Sequence, residues 1–78
     1  MLRLFASARE AAGTGRDTVD AATVGDVLAE ACTRYGEGFA AVLTGCRVWV
    51  NGEPAQRGDS VADHDEVAVL PPVSGGCR

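Results

Sequence analysis

The chain has 78 residues, a net charge of −4 and a sequence pI of about 4.7, and all seven of its cations are arginines. This length makes one small domain, whose core contributes only about 3–5 kcal/mol of net stability. Binding to nucleic acid or to an anionic membrane needs clustered cations, whereas these arginines are dispersed along an acidic chain. The composition therefore argues against both partners. It favours a binding or carrier role, with a partner whose docking face is basic, over a deep catalytic pocket.

The distribution of apolar residues and cysteines indicates a reduced, cytoplasmic protein. No apolar run approaches the roughly 18–20 residues of a membrane span, and the N-terminal segment lacks a signal peptide's long apolar stretch. Cys32, Cys46 and Cys77 are an odd number at wide spacing, which fits neither a disulfide framework nor a zinc site. We expect reduced thiols, with Cys32 and Cys46 as small core residues.

The N-terminal third predicts a hairpin. Leu2–Ala6 alternates apolar and polar residues at first, as a strand does. Ala8–Ala12 predicts a helical turn that ends at Gly13. Asp17–Ala21 then predicts a second strand paired with the first.

The clearest helix follows. Thr23 is a good N-cap, and apolar residues at helical spacing continue to Tyr35, after which Gly36 supplies the stop. We expect the opposite face of this helix, with Asp26, Glu30, Thr33 and Arg34, to be merely solvated. A shorter helix is predicted from Phe39 to near Gly45.

The C-terminal half predicts a strand, a tight turn and a central strand. Arg47–Gly52 runs into Asn-Gly, the strongest short hairpin signal, and Pro54 keeps the returning arm at a sheet edge. Gly58-Asp59 and the segment around His64 predict turns. Glu66–Leu70 is an apolar run typical of a strand in mid-sheet, closed by Pro71.

These elements predict an α+β fold, a mixed sheet packed on one main helix. A right-handed crossover through that helix would bring its flanking strands together in parallel, with the last strand available for the middle of the sheet. The predicted core consists of Val27, Leu28, Ala31, Val48, Val50, Val67 and Val69.

The globular part offers little catalytic chemistry. His64 is the only histidine, and its position between Asp63 and Asp65 predicts an exposed turn residue. The two aspartates could hold a divalent cation weakly, but turn chemistry explains them better. We therefore expect no catalytic residue in the globule, no metal site and no bound cofactor.

The C-terminal tail differs from the rest of the sequence. Pro71-Pro72 stiffens the exit from the last strand, and Gly75-Gly76 follows two residues later. Glycine has no side chain, so this segment can thread a tunnel in which a Cβ atom would clash. At ~3.3 Å per residue the extended tail reaches roughly 20 Å, enough to enter a partner's active site.

Several segments together resemble the MoaD/ThiS family of sulfur carriers, and in particular the molybdopterin synthase small subunit. They are Leu4–Ala6, Arg9–Gly13, Thr23-Val24, Val48–Glu53 and the closing run Asp65–Gly76 with its Pro-Pro-Val-Ser-Gly-Gly ending. The resemblance covers residues 1–76. It implies a ubiquitin-like β-grasp domain over residues 1–72 and a flexible tail over residues 73–78.

The resemblance also implies a chemistry and a set of partners. An E1-like adenylating enzyme would use ATP to activate the Gly76 carboxylate, and a sulfur source would convert it to a thiocarboxylate. Pro72, Val73, Ser74 and Gly75 would thread the tail into the partner. The sulfur would pass to a synthase subunit, such as the molybdopterin synthase large subunit or a pathway-specific enzyme. The carrier itself would not be an enzyme; it would be a tethered reactant.

The sequence departs from the family at one place, because Cys77 and Arg78 follow the second glycine. A precursor whose last two residues are removed by a processing metalloprotease is the leading interpretation. A non-native end and a functional Cys77 are the alternatives.

Other pathways and functions stay open at this point. Thiamin, cysteine or methionine, or a specialised sulfur-containing metabolite could receive the sulfur instead of molybdopterin. A ubiquitin-like protein modifier and an inert interaction domain are functions of other classes. In the carrier interpretation we expect the exposed sheet face near Pro71-Pro72 to dock the adenylating enzyme. Apolar contacts would provide affinity and an acidic rim would provide association rate.

Overall fold

Five short strands and three helices follow one another in the computed structural model, which describes residues 1–71. Their bounds are β1 (Leu2–Leu4), α1 (Ala6–Ala12), β2 (Arg16–Asp17), α2 (Val24–Tyr35), α3 (Glu37–Leu43), β3 (Arg47–Val50), β4 (Glu53–Pro54) and β5 (Val67–Leu70). The longest helix, α2, has 12 residues, and no helix in this part of the chain has the length and apolarity to cross a membrane.

The strands form one mixed sheet in the order β2-β1-β5-β3-β4. β5 pairs in parallel with β1 and antiparallel with β3, so the prediction of a mid-sheet last strand is confirmed. The α+β, ubiquitin-like β-grasp fold is confirmed with it. The prediction that the strands flanking α2 become neighbours is wrong. β2 and β3 run in the same direction but are separated by β1 and β5, because the apolar β5 takes the position between them.

Helix α2 begins and ends where its caps predict. The Thr23 hydroxyl accepts a hydrogen bond from the Asp26 N–H at 3.2 Å, which satisfies one of the free donors of the first turn. Gly36 ends the helix with a φ of 92°, and its N–H donates to the Cys32 carbonyl at 2.9 Å. The face turned to the sheet buries Val24, Val27, Leu28 and Ala31.

The prediction that the opposite face of α2 is merely solvated is wrong, because its side chains form ion pairs and hydrogen bonds with other parts of the fold. The Arg34 guanidinium contacts the Glu30 carboxylate at 3.0 Å and the Asp17 carboxylate at 3.1 Å, and it donates to the Thr18 carbonyl at 2.7 Å. The Tyr35 hydroxyl donates to Asp17 Oδ2 at 2.5 Å. This network ties the end of α2 to the last residue of β2 and to Thr18 after it.

The same network sets two pKa values. The hydrogen bond from Tyr35, followed by the one from the Thr18 N–H, lowers the pKa of Asp17 below its ordinary value. Burial, together with the hydrogen bond to the Asp17 carboxylate, raises the pKa of Tyr35 to about 12. Both shifts favour the ionised aspartate and the neutral tyrosine that the hydrogen bond needs.

The second strand is shorter than predicted and lies earlier in the chain. It covers Arg16–Asp17 instead of Asp17–Ala21. The Asp17 side chain accepts the Thr18 N–H at 2.8 Å, which removes that donor from the strand ladder. Val19 beyond it is 8% exposed and packs into the core outside any strand.

Twelve buried apolar residues form the core in the described part of the chain. They are Leu2, Leu4, Ala8, Val19, Val24, Val27, Leu28, Ala31, Phe39, Leu43, Val67 and Val69. Val48 and Val50 were predicted to be core residues but are only partly buried. The two-residue edge strand β4 covers little of β3, which explains their exposure. Cys32 and Cys46 pack against the core but are likewise only partly buried.

The turn between β3 and β4 confirms the Asn-Gly prediction. Asn51 and Gly52 have φ angles of 52° and 85°, both in the left-handed region that a type I′ turn requires. Asn51 also fixes the end of the last loop. Its Nδ2 donates to Asp65 Oδ1 at 3.0 Å and its Oδ1 accepts from the Glu66 N–H at 2.9 Å. Pro54 lies at the sheet edge, as predicted.

Candidate functional site

The residues predicted to carry and deliver sulfur lie outside the described residues. They are Pro72, Val73, Ser74, Gly75, Gly76, Cys77 and Arg78. The structure describes the strand that leads to them: β5 lies in the centre of the sheet and ends at Leu70, and Pro71 is the last described residue. The surface around this exit is therefore the described part of the candidate site.

The face of the sheet turned away from the helices carries the side chains nearest this exit. Successive side chains of a strand point to opposite faces, and Leu2, Leu4, Val67 and Val69 point into the core. Their neighbours therefore point outward. The strand register places five outward residues in one row across the sheet. They are Arg16, Arg3, Ala68, Trp49 and Pro54.

An open groove of about 330 Å³ lies on this face beside Pro71. Its lining consists of Phe5, Arg47, Trp49, Gly52, Glu66, Ala68, Leu70 and Pro71. Trp49 and Leu70 are only partly buried, although both are large and apolar. A half-exposed apolar groove rimmed by polar residues is typical of a protein-binding surface. We call it the exit groove.

The charges around the exit groove do not match the acidic rim that the net charge predicted. Arg47 and Glu66 line it, and Arg3 lies next to it on β1. The Arg3 guanidinium lies 5.5 Å from the centroid of the Phe5 ring, and its Nη1 is 3.8 Å from Glu66 Oε2. The net charge of the chain therefore does not describe this surface, whose local charge is mixed with an excess of arginine.

A second cavity of about 420 Å³ lies between the helices and the β3–β4 hairpin. Leu28, Leu43, Cys46 and Arg57 are among the residues that line it. The Cys46 thiol donates to the Val42 carbonyl at 3.3 Å, and burial raises the pKa of this thiol. Cys46 therefore stays protonated at neutral pH and is a poor nucleophile.

The turn around His64 is explained by local hydrogen bonds. The His64 side chain is 86% exposed, which confirms the prediction. Hydrogen bonds from Asn51 and then from the Ala62 N–H lower the pKa of Asp65, so its two oxygens are engaged within the loop. In residues 1–71 no three histidine, cysteine or carboxylate side chains lie close enough to hold a metal ion.

The sequence interpretation anticipated an apolar docking face but named none of the exit-groove residues apart from Pro71. The available signal was the alternation in β3. Because Val48 and Val50 face the core, Trp49 between them had to lie on the outer face. Phe5 gave no comparable signal, since it follows the last residue of β1 and lies beside α1.

A mixed sheet with its C-terminal strand in the centre, one main helix and a chain end that leads to Gly-Gly defines a class. It is the class of ubiquitin-like carriers and modifiers, which are generally not catalytic themselves. Comparison with protein families gives the particular assignment, because the model of the ThiS family matches residues 2–76. The chain belongs to the ThiS family, and its resemblance to MoaD/ThiS sulfur carriers is confirmed.

Solved structures of related proteins agree with this assignment. The crystal structure of small archaeal modifier protein 1 from Haloferax volcanii is 34% identical over 96% of both chains, with a TM-score of 0.71. The solution structure of the protein of that name from Methanosarcina acetivorans is 29% identical, with a TM-score of 0.85. It covers 96% of this chain and 93% of its own.

A candidate molybdopterin converting factor, subunit 1, from Pyrococcus furiosus is 26% identical, with a TM-score of 0.82, over 92% of this chain and 94% of its own. A comparison with curated protein sequences found no match. The related structures thus include proteins described as modifiers and one described as a molybdopterin factor. What these relatives have in common assigns this chain to the ThiS/MoaD-like sulfur carriers or modifiers.

Proposed function

We propose that this chain is a sulfur carrier whose Gly76 carboxylate is adenylated and then converted to a thiocarboxylate that donates sulfur in biosynthesis. One observation carries the proposal beyond family membership. β5 supplies Ala68 and Leu70 to the exit groove, Glu66 lines it just before the strand begins, and the sequence after β5 leads within a few residues to Gly75-Gly76. Docking through the groove would therefore fix, relative to the partner, the point from which the tail leaves the domain.

The chemistry follows from what a carboxylate can and cannot do. A carboxylate is a poor acyl donor, so one of its oxygens attacks the α-phosphorus of ATP and pyrophosphate leaves. A sulfur nucleophile, with HS⁻ as the simplest case, then attacks the acyl carbon and AMP leaves. The product is the thiocarboxylate, and the nucleotide is used by the activating enzyme without being held by the carrier. We place these reactions in the cytoplasm, where thiols stay reduced.

An E1-like adenylating enzyme is the partner that we assign to the exit groove. Trp49, Leu70 and Phe5 offer apolar area for its docking surface, and aromatic residues commonly dominate the energy of such interfaces. From Pro71 the extended chain reaches Gly76 over roughly 20 Å at ~3.3 Å per residue. Pro72, Val73, Ser74 and Gly75 would occupy the tunnel between the groove and the ATP site.

The acceptor that we favour is the large subunit of a molybdopterin synthase. The related Pyrococcus furiosus structure, described as a molybdopterin converting factor subunit, supports this choice. An acceptor in thiamin, cysteine, methionine or specialised sulfur metabolism would use the same thiocarboxylate. Cys77 and Arg78 must be absent for any of these, because a peptide bond to Cys77 leaves Gly76 without a carboxylate. We propose that a metalloprotease removes them.

The test compares residues 1–78 with residues 1–76 in ATP–pyrophosphate exchange with the adenylating enzyme of the same organism. We expect exchange with the shorter chain alone. Gly76→Val in the shorter chain should abolish it, since a branched Cβ does not fit a tunnel built for glycine. Equal exchange by the longer chain, shown by mass to be intact, would refute the trimming proposal and direct attention to Cys77.

A protein modifier is the second candidate, because two related structures are described as small archaeal modifier proteins. The chain contains no lysine, so its side chains could not accept an isopeptide bond from another copy. Mass spectrometry of protein from the native organism separates the candidates. A gain of about 16 Da on a chain ending at Gly76, the mass difference between sulfur and oxygen, indicates the thiocarboxylate. Branched adducts on other proteins indicate a modifier.

A further inference from the structure

Two arginines stand side by side on the outer sheet face. Arg3 on β1 pairs directly with Arg16 on β2 in the antiparallel register, so both side chains leave the same face. Like charges in this position are destabilising, by an amount within the roughly 0.2–1 kcal/mol of cross-strand pairs. Within residues 1–71, Arg16 forms no ion pair and Arg3 has Glu66 at 3.8 Å. The fold therefore keeps two cations side by side here, with one carboxylate near Arg3 and none near Arg16 in the described residues.

The Arg3 side chain is held in place although not all of its hydrogen-bond donors have partners. Its Nε is buried and has no hydrogen-bond partner in the described structure, and the whole side chain is 37% exposed. The Phe5 ring lies 5.5 Å from the guanidinium carbon and limits its orientation. The Glu66 contact at 3.8 Å is too long for a hydrogen bond. The guanidinium is thus positioned beside the exit groove with donors still available.

The charge of this face is opposite to that of the chain. Three of the seven arginines, namely Arg3, Arg16 and Arg47, lie on the outer sheet face or line the exit groove. Among the acidic residues, Glu66 is the one that lines the groove. A positive face on a chain of net charge −4 would orient the molecule as it approaches a negatively charged surface.

We infer that Arg3 and Arg16 bind a carboxylate on the docking surface of the adenylating enzyme, while apolar side chains of that enzyme fill the exit groove. The inference rests on the proposed function for the identity of the partner. A carboxylate fits the planar guanidinium fork. The neighbouring Trp49 and Leu70 call for apolar protein groups, which a nucleic acid backbone does not offer. Arg3 and Arg16 are thus specificity residues: Arg3 lies on β1, next to the β5 residues of the groove, and Arg16 lies one strand further out on β2.

The experiment measures docking and chemistry separately. Trp49 is the only tryptophan and lies in the exit groove, so 5-fluorotryptophan labelling gives one ¹⁹F signal at the interface. Titrating residues 1–76 with the adenylating enzyme gives Kd from this signal, and ATP–pyrophosphate exchange gives KM and kcat. The variants are Arg3→Gln, Arg3→Lys and Arg16→Gln. Arg57→Gln is the matched control, because Arg57 is exposed and lines the other cavity.

Arg3→Gln should raise both Kd and KM about tenfold and leave kcat unchanged, as expected for one lost charge-assisted hydrogen bond. Arg3→Lys should fall between it and the wild type, because lysine keeps the charge but loses the fork. Arg16→Gln should weaken docking while leaving the urea midpoint of the free chain unchanged or higher, since it removes a repulsion. If Arg16 had a merely structural role, its replacement would weaken docking only by lowering the stability of the free chain, and the urea midpoint would fall. Arg57→Gln should behave as the wild type.

Kd values of Arg3→Gln and Arg16→Gln within twofold of the wild type would overturn the inference. So would a ¹⁹F shift that depends on the concentration of the chain alone, because the groove would then be occupied by a second copy. Failure of the wild type to bind the enzyme would overturn it as well. Normal binding without any exchange would sink the proposed function and leave the carboxylate contact standing.

Discussion

Replacing Ala31 by aspartate tests the packing of α2 on the sheet. Ala31 is 0% exposed in the core, so the new carboxylate would lie among apolar side chains without a partner. Burial raises a carboxyl pKa by about 3–5 units, and each unit corresponds to about 1.36 kcal/mol at a pH where the unfolded chain is ionised. Ala31→Asp should therefore cost about 4–7 kcal/mol at pH 7.

That cost is comparable to or larger than the roughly 3–5 kcal/mol expected for so small a domain, so Ala31→Asp should be largely unfolded in water. Ala29→Asp is the matched control, because Ala29 is exposed on the same helix two residues earlier. Its cost should stay near the helix propensity difference of about 0.7 kcal/mol. Urea unfolding followed by far-ultraviolet circular dichroism measures both. A cooperative transition of Ala31→Asp with the midpoint of Ala29→Asp would refute the assignment of the helix face.

Two further predictions concern the network at the end of α2 and the hairpin turn. The lowered pKa of Asp17 contributes stability above the ordinary carboxyl range, and that contribution should be lost as pH falls through the folded value. The raised pKa of Tyr35 contributes stability below pH 10, which should be lost as pH rises towards about 12. When urea midpoints are measured against pH, Tyr35→Phe should lose less stability than the wild type between pH 10 and about 12. An equal alkaline loss in the two proteins would contradict the role assigned to the Tyr35 hydroxyl. Gly52→Ala should cost about 1–2 kcal/mol, because its φ is 85° although no atom lies within 4 Å of the new Cβ. Gly58→Ala is the matched control, since its site is equally open and its φ is not positive, so it should be neutral or stabilising. Equal losses at the two glycines would show that backbone strain is not the cause.

Local signals predicted much of the fold because they act over a few residues. The Thr23 cap, the Gly36 stop and the Asn51-Gly52 turn each depend on one backbone conformation, and the structure has all three. The second strand could not be placed in the same way. Its end is determined by the Asp17 side chain taking the Thr18 N–H, and strand propensity does not register that competition.

Residue type alone does not determine surface properties. Arg34 belonged to a face that looked merely solvated, and only the fold brings Asp17 within 3.1 Å of it. Arg3 and Arg16 are 13 positions apart in the sequence and looked dispersed, yet the hairpin register pairs them. The exit groove has the same origin, since Phe5, Trp49 and Leu70 come from distant segments. For this reason the sequence anticipated an apolar docking face near Pro71 without identifying the residues that form it, and the chemistry of the tail stays a prediction.

The parallel pairing of β1 with β5 also has a mechanical consequence. Leu2, Arg3 and Leu4 lie beside Val67, Ala68 and Val69, and the two strands run in the same direction. Tension between the start of β1 and the end of β5 therefore acts along the ladder, so that its hydrogen bonds must shear together instead of opening one at a time. A pull on β5 from its C-terminal end would load two ladders at once, because the strand pairs with β1 on one side and with β3 on the other. The last strand of the described chain is thus held by hydrogen bonds along both of its edges, which an edge strand is not.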